Sequence, residues 1–352
     1  LAAVSLFKWL VCSTVMATIL VIIVLMIKYM FKNKLGAKWH YLIWFFVVLK
    51  LLIPFGPESR LSIYNMFNLT NHNITQKSYT VMDTLSTATN SIALSTPIPD
   101  SLAHDYSKST PSSNHDKIVY LSIFGLAIWF LGMITATTIF YLKSQKLLHG
   151  IHIGGTIEDE CIQNLLQECK MKLGIRRNIT IKTVSNLNTP CLVGVVRPVL
   201  LIPEYLVHSE NLWVIKYSIY HELAHVVRMD IPVNVLLTLL SITHWFNPVI
   251  WYAFHKLRQD SELACDDLVL SKLKSQEHKR YGYALLHFLE RFSKNIELST
   301  VACFLSNKSN IKNRIQNIAS YKKNSFKVDI LKSLGFTALF LIVFTNAVEK
   351  LI

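Results

Sequence analysis

Four long apolar runs, residues 9–27, 39–54, 118–142 and 331–348, set the frame of this chain. A helix needs roughly 20 predominantly apolar residues to cross the hydrocarbon of a bilayer, so each run is read as a membrane span. The second is the shortest and carries Lys50. Lys8 and Lys28 bracket the first, where their stems can lie along lipid while their charges reach water. That run is too long for a signal peptide and lacks a small-residue cleavage site. Residues 58–116 are rich in Ser, Thr and Asn and poor in large apolar side chains, so this loop is expected to lack a core of its own.

Between the third and fourth runs the periodicity becomes that of a packed domain. Thr156-x-x-Asp159 resembles a capping box for a helix ending near Gly174, with Ile157, Cys161, Leu165, Leu166 and Cys169 as its buried stripe. Residues 178–185 alternate like a strand. Residues 191–195 and 199–202, joined through Arg197-Pro198, predict a hairpin. Over 212–228 the period returns to that of a helix. Leu212, Ile215, Ile219, Leu223 and Val226 share one face, and Tyr217, Ser218, His221, His225 and Arg228 share the other. Ser209 and Glu210 supply its start.

Composition agrees with the membrane reading: 51% of residues are hydrophobic and only 16% charged, too apolar for an ordinary soluble chain of this length. The formal charge of +14 is unevenly placed. The loop 28–38 has four Lys and no acid; residues 54–117 have four basic and five acidic side chains; residues 143–332 have 25 basic and 16 acidic. The positive-inside rule then puts the short loop and 143–332 in the cytoplasm, and the N-terminus, the 54–117 loop and the C-terminus outside. The positive charge is accordingly a topological signal, and no direct nucleic-acid partner is expected. None of the six cysteines falls in the external loop and there is no C-x-x-C pair, so all six are read as small apolar residues.

The chemistry lies in His221-Glu222-Leu223-Ala224-His225. On a helix the two histidines stack one turn apart, from where both rings can reach one tetrahedral Zn²⁺. Glu222 projects beside that face, able to take a proton from water activated by the ion. A catalytic zinc needs a third protein ligand and an open position. The extended form with a third histidine is excluded, because Arg228 and Ile231 occupy the required positions. Glu262 and Asp266 repeat the i, i+4 spacing, so one carboxylate can bind the metal while the other orients a ligand histidine. Glu262 is chosen as ligand over Asp260, His244 and His255, with Asp266 behind it. No spacing argument assigns an oxyanion donor; His208, Tyr281 and Arg258 are the candidates.

Residues 231–254 contain no Lys, Arg, Asp or Glu. A straight helix through them would extend roughly 36 Å and carry His225 and Glu262 to opposite membrane faces. Asn247-Pro248 offers a break, since proline interrupts a helix. The expectation is a helical hairpin: one helix from near Asp230 to Trp245, then a second carrying Glu262 and Asp266. Asp230, before Pro232, is read as an N-cap. The small sheet preceding the metal helix suits a zincin core, and its exposed edge can hold an extended peptide.

These residues resemble the membrane metallopeptidases of the β-lactam-sensing BlaR/MecR type. The likeness extends over nearly the whole chain. It is carried by Gly194-Val195-Val196-Arg197-Pro198 with Pro203, by the His221–His225 motif with Arg228 and Asp230, by His244-Trp245-Phe246-Asn247-Pro248 with Trp251, and by Glu262-Leu263-Ala264-Cys265-Asp266. The resemblance implies a mainly α integral membrane protein. Four transmembrane helices would be joined to a cytoplasmic α+β zincin domain of the gluzincin type with a small β-sheet. His221, His225 and Glu262 would be the zinc ligands, Glu222 the general base and Asp266 the group behind them. The implied partition is 1–54 (two spans and the basic loop), 55–117 (external loop), 118–142 (third span), 143–330 (peptidase domain) and 331–352 (fourth span and tail).

The same resemblance implies self-cleavage near 301–309 and a cytoplasmic transcriptional repressor as substrate, in the bacterial cytoplasmic membrane. A homodimer is left open. Sensor members continue into an external penicillin-binding domain, which these residues do not contain. The Ser-x-x-Lys runs at Ser271, Ser309 and Ser320 lack a Lys-Thr-Gly partner. Two other functions fit the spans and the zinc motif: a signalling scaffold with a non-catalytic zinc site, and a housekeeping protease for membrane-protein quality control.

Overall fold

The computed structural model describes residues 2–31, 35–53, 112–150, 152–185, 187–208, 211–294, 308–322, 330 and 332–339. Residues 54–111, Ser209 and Glu210, the segment 301–307 expected to be self-cleaved and most of the fourth apolar run therefore lie outside the described residues.

The first apolar run forms α1, Ala2–Met30, and the third forms α4, Ser112–Gly150. By length and composition the stretches Val4–Met30 and Val119–Gln145 can cross a membrane. The second run is not one straight helix. It divides into α2, Ala37–Leu42, and α3, Phe45–Leu52, each too short to span alone. Of the fourth run, 332–339 are helical.

Chain contacts separate two compact units. One consists of the described residues of Leu1–Met16, Leu49–Leu131 and Ser333–Ile352. Within it, the Phe7 ring lies where a Cβ on Gly125 would have to go, so that glycine allows the close approach of α1 and α4.

The other unit, Ala17–Val48 with Gly132–Lys332, contains the β-sheet and the helices that follow it. Strand β1, His152–Thr156, precedes α5, Glu160–Leu173. The cap of α5 is Asp159 alone, whose carboxylate accepts from Cys161 N and Ile162 N. Thr156 belongs to β1 instead. Gly174, at φ 71°, ends the helix as expected. Its buried face is Ile162, Leu166, Cys169 and Leu173, with Ile157 just ahead; Cys161 faces solvent, contrary to the expected stripe.

Strands β2 (Thr180–Ser185), β3 (Cys191–Val193) and β4 (Val199–Pro203) complete a sheet of order β1-β2-β4-β3. The β3–β4 hairpin is antiparallel, with Leu192 opposite Leu200, whereas β2 and β4 run parallel. β3 is thus an edge strand. Gly194 turns the hairpin at φ 90°, where a Cβ would collide with the Arg197 carbonyl.

After the short α6, Glu204–Val207, comes α7, Leu212–Arg228, which packs against α5. More than one face of α7 is buried: Ile215, Ile219 and Leu223 enter the core, and Tyr217, Ser218, Tyr220 and Ala224 are covered by neighbouring elements. Met229 then adopts the left-handed conformation, φ 57°. It bends the chain by 62° into α8, Asp230–Thr243. Residues 244–247 break the helix before α9, Pro248–Lys272, whose cap is the Asn247 side chain accepting from Val249 N and Ile250 N. The expected helical hairpin forms. Its break packs against α1, where Asn247 Nδ2 donates to Thr18 Oγ1 at 2.9 Å. Helices α10, His278–Lys294, and α11, Lys308–Ala319, close over α7 and α9.

Candidate metal centre

The return of α9 alongside α7 brings Glu262 to the two histidines. Nε2 of His221 lies 3.4 Å from Oε2 of Glu262, and Nε2 of His225 lies 3.8 Å from Oε1. The rings sit 4.8 Å apart at 84°. Ligand atoms about 2.0–2.2 Å from a tetrahedral ion stand roughly 3.3–3.6 Å from one another; the His221 contact falls in that range, whereas the His225 contact is longer and is made by the other carboxylate oxygen.

The opposite ring nitrogens are turned away and held. His221 Nδ1 meets the Tyr281 hydroxyl at 2.9 Å, with Asp266 Oδ1 at 3.4 Å. His225 Nδ1 meets Asp230 Oδ2 at 2.7 Å. When the imidazoles are neutral, a proton on each Nδ1 satisfies these contacts and leaves the Nε2 lone pairs facing Glu262. Two imidazoles and a carboxylate with their outer atoms fastened form a donor set that fits Zn²⁺.

Cys265 also comes within reach: its Sγ and atoms of both histidines lie within 4.8 Å of one another. Among the described residues it is Cys265, not Glu262, that completes a group of such closely spaced donors with the two histidines, but two contacts count against it as a ligand. Its approach to His221 is at Nδ1, 3.7 Å away, the nitrogen already held by Tyr281, and the thiol donates to the His221 carbonyl at 3.4 Å. The other sequence candidates lie elsewhere. Asp260 receives Lys28 and the Trp44 indole, His244 bonds the Leu240 carbonyl, and His255 pairs with Gln259.

Asp266 lies beside His221 Nδ1, a position it shares with Tyr281. It is fully buried, accepts from Tyr281 at 2.5 Å, and takes Nε and Nη2 of Arg314 at 2.7 and 2.8 Å. Arg314 was not anticipated as a site residue. Only 2% exposed, it also places Nη1 3.0 Å from Glu262 Oε2 and Nη2 3.4 Å from His221 Nε2. Arg314 thus brings a fixed positive charge beside the histidines and Glu262, which none of the three sequence candidates for an oxyanion donor does. The Tyr281 hydroxyl is consumed by Asp266 and His221, Arg258 donates to Asn234, and His208 follows α6 as its C-cap. The sequence held one signal for Arg314: a basic residue set on the same helical face as apolar Ile311, Ile315 and Ile318.

Asp230 corrects a second expectation. It is the first residue of α8 after Met229 and caps nothing with its side chain. Its carboxylate receives His225 and Arg228 Nε on Oδ2, the latter at 3.0 Å.

Electrostatics follow from this crowding. Burial alone would raise the Glu262 carboxyl, but the Arg314 charge and the two histidines bring it down to about 2. Asp266 is held lower still, against burial, by Arg314 and His221. At Glu222 burial wins over the nearby histidines and pushes the carboxyl above its ordinary range. Burial would depress both imidazoles, yet Cys265, Tyr281 and Asp266 hold His221 well above its ordinary value, and Cys265, Asp230 and Glu262 do the same for His225.

All of this opens on a cavity of about 490 Å³. Its walls are the histidines with Glu222 and Glu262, the edge strand at Cys191 and Leu192, and apolar side chains from α8 and α10.

This is a site able to hold a divalent metal beside a carboxylate base, set among helices apolar enough for a membrane. The chain belongs to the BlaR1 peptidase M56 family, whose profile matches residues 8–318. It is 25% identical over 330 residues to the regulatory protein BlaR1 of Bacillus licheniformis, covering 92% of this chain and 53% of that protein. It is 27% identical over 281 residues to the methicillin resistance mecR1 protein of Staphylococcus aureus, covering 79% and 46% respectively. The chain therefore spans about half the length of the curated relatives it matches.

Proposed function

We propose that this protein is a membrane zinc metalloendopeptidase whose active site faces the cytoplasm. The observation that carries the reading is the convergence of His221 Nε2 and His225 Nε2 on the Glu262 carboxylate. Glu222 lies beside them in the same cavity. Zn²⁺ held by these three side chains would supply Lewis-acid activation of water and of a peptide carbonyl. Glu222 accepts the proton of the attacking water at its carboxylate and passes it to the leaving amine. Asp230 and Asp266, through the two Nδ1 atoms, keep the imidazoles in the ligating tautomer. The Arg314 guanidinium lends positive charge where the carbonyl oxygen becomes anionic.

The substrate is an extended peptide. Its backbone pairs with edge strand β3, and its apolar side chains enter the wall formed by Leu192, Leu285 and Phe288. The name of the BlaR1 relative, a regulatory protein, supports a regulatory role; self-cleavage near 301–309 and a cytoplasmic repressor as substrate are part of the same proposal. The test is Glu222→Gln in the full chain. Zinc content should stay at one per chain while peptide cleavage falls by roughly 10²–10⁴-fold. New chain termini made by the wild type and absent from the variant would identify the bonds cut. Equal cleavage by both proteins would refute the reading.

A further inference from the structure

His225 is fastened from the apolar N-terminal helices as well as from its own domain. Asp230, 3% exposed, holds His225 Nδ1 through Oδ2, and its other oxygen, Oδ1, accepts the Tyr41 hydroxyl at 3.2 Å. Tyr41 lies on α2, at the start of the second apolar run. The face of its ring carries the Arg228 guanidinium, 4.2 Å from the ring centre. Arg228 in turn donates to Asp230 Oδ2 and, at 3.3 Å, to Ser261 Oγ, the residue before Glu262. A neighbouring contact repeats the pattern. Asp260, also on α9, receives the Trp44 indole N–H at 2.5 Å and the Lys28 ammonium, and Lys28 lies over the Trp44 ring.

We propose that Tyr41 is a positioning residue for the metal ligand His225, acting through Asp230, so that a helix of the second apolar run completes the zinc site. This rests on His221, His225 and Glu262 being the zinc ligands. The physical reason is the freedom of a carboxylate to turn about its Cβ–Cγ bond. Held at one oxygen only, Asp230 can swing and let the imidazole turn with it. Held at both, it keeps His225 Nε2 aimed at the ion. Partners of this kind set the orientation and basicity of a metal-bound histidine.

Tyr41→Phe removes the hydroxyl and keeps the ring on which Arg228 lies. The full chain in detergent micelles is titrated with Zn²⁺ against a chromophoric chelator, and with Co²⁺ to record the visible ligand-field spectrum. Tyr41→Phe should weaken Zn²⁺ about 10-fold and alter the Co²⁺ spectrum, with the unfolding midpoint of the metal-free protein unchanged. Asp230→Asn should weaken Zn²⁺ by about 10- to 100-fold. The double variant should then bind no more weakly than Asp230→Asn alone, because Tyr41 acts only through that carboxylate.

Wild-type affinity and spectrum in Tyr41→Phe would overturn the proposal, as would losses that add in the double variant. A lower unfolding midpoint with unchanged Zn²⁺ affinity would assign Tyr41 to stability and overturn it too. These outcomes are separable from failure of the peptidase reading. A wild type that binds Zn²⁺ yet cleaves nothing removes the peptidase and leaves Tyr41 in its role; a wild type that binds no Zn²⁺ removes both.

Discussion

Arg314 and Glu262 are paired, Nη1 to Oε2 at 3.0 Å, although they come from separate helices and Glu262 is the side chain read as a metal ligand. The same guanidinium grips Asp266 with two nitrogens. One buried cation thereby contacts a fully buried carboxylate, Asp266, and a partly buried one, Glu262. Removing it leaves charges with no solvent to relax into, so Arg314→Met should destabilise the metal-free protein by about 3–5 kcal/mol. Arg314→Lys should restore little, because a single ammonium cannot reproduce the two-pronged contact. Denaturation in micelles measures both, and a stable Arg314→Met protein would show that the pair contributes nothing.

The identity of the third ligand separates two single variants. Glu262→Ala should lower Zn²⁺ affinity by at least roughly 100-fold, whereas Cys265→Ser should change it less than about threefold, since the Cys265 thiol already donates to the His221 carbonyl. Chelator competition gives both numbers. The reverse order would make the site a His-His-Cys centre.

Acid should reveal the depressed carboxyls. Glu262 falls to about 2 and Asp266 lies lower, against ordinary values near 4. A carboxyl lowered by folding stabilises the native state fully above its unfolded value and loses that contribution as pH falls through its folded value. The unfolding midpoint of metal-free protein should therefore drop steeply from about pH 5 to 2. In Arg314→Met, where the carboxyls lose their cation, the slope should be shallower. Parallel curves for the two proteins would contradict the pairing.

Met229 carries a strained backbone at φ 57° with its side chain exposed. Glycine adopts that conformation without the Cβ clash, so Met229→Gly should raise stability by about 0.5–1 kcal/mol. Zinc affinity should not change, because the bend that places Asp230 is kept. Thermal unfolding checks the first statement and chelator competition the second.

Much of this site was legible one element at a time. The spacing of His221 and His225 placed two imidazoles on one helical face, and the distance to Glu262 with Asn247-Pro248 between required a hairpin. Both statements depend only on helix geometry and on what proline does to it. The strands β2 to β4 were visible from alternation. β1 was not, because His152–Thr156 includes two glycines and has no apolar alternation. The division of the second apolar run was not visible, since hydropathy measures length and cannot register a break between Leu42 and Phe45.

Asp230 shows where local reasoning stops. On a continued helix a residue five positions after His225 would point roughly 140° away from it. Only the bend at Met229, which no propensity requires, turns its carboxylate back under the ring. Tyr41 and Arg314 lie far from the motif in sequence, and periodicity records a residue's own face, never the partner that covers it. The chain alone determined the donor types, the order of the helices and the need for a reversal, because these follow from local geometry. Which carboxylate holds which nitrogen, and which cation balances them, was decided by packing, where burial forces each charge to find its partner across the fold.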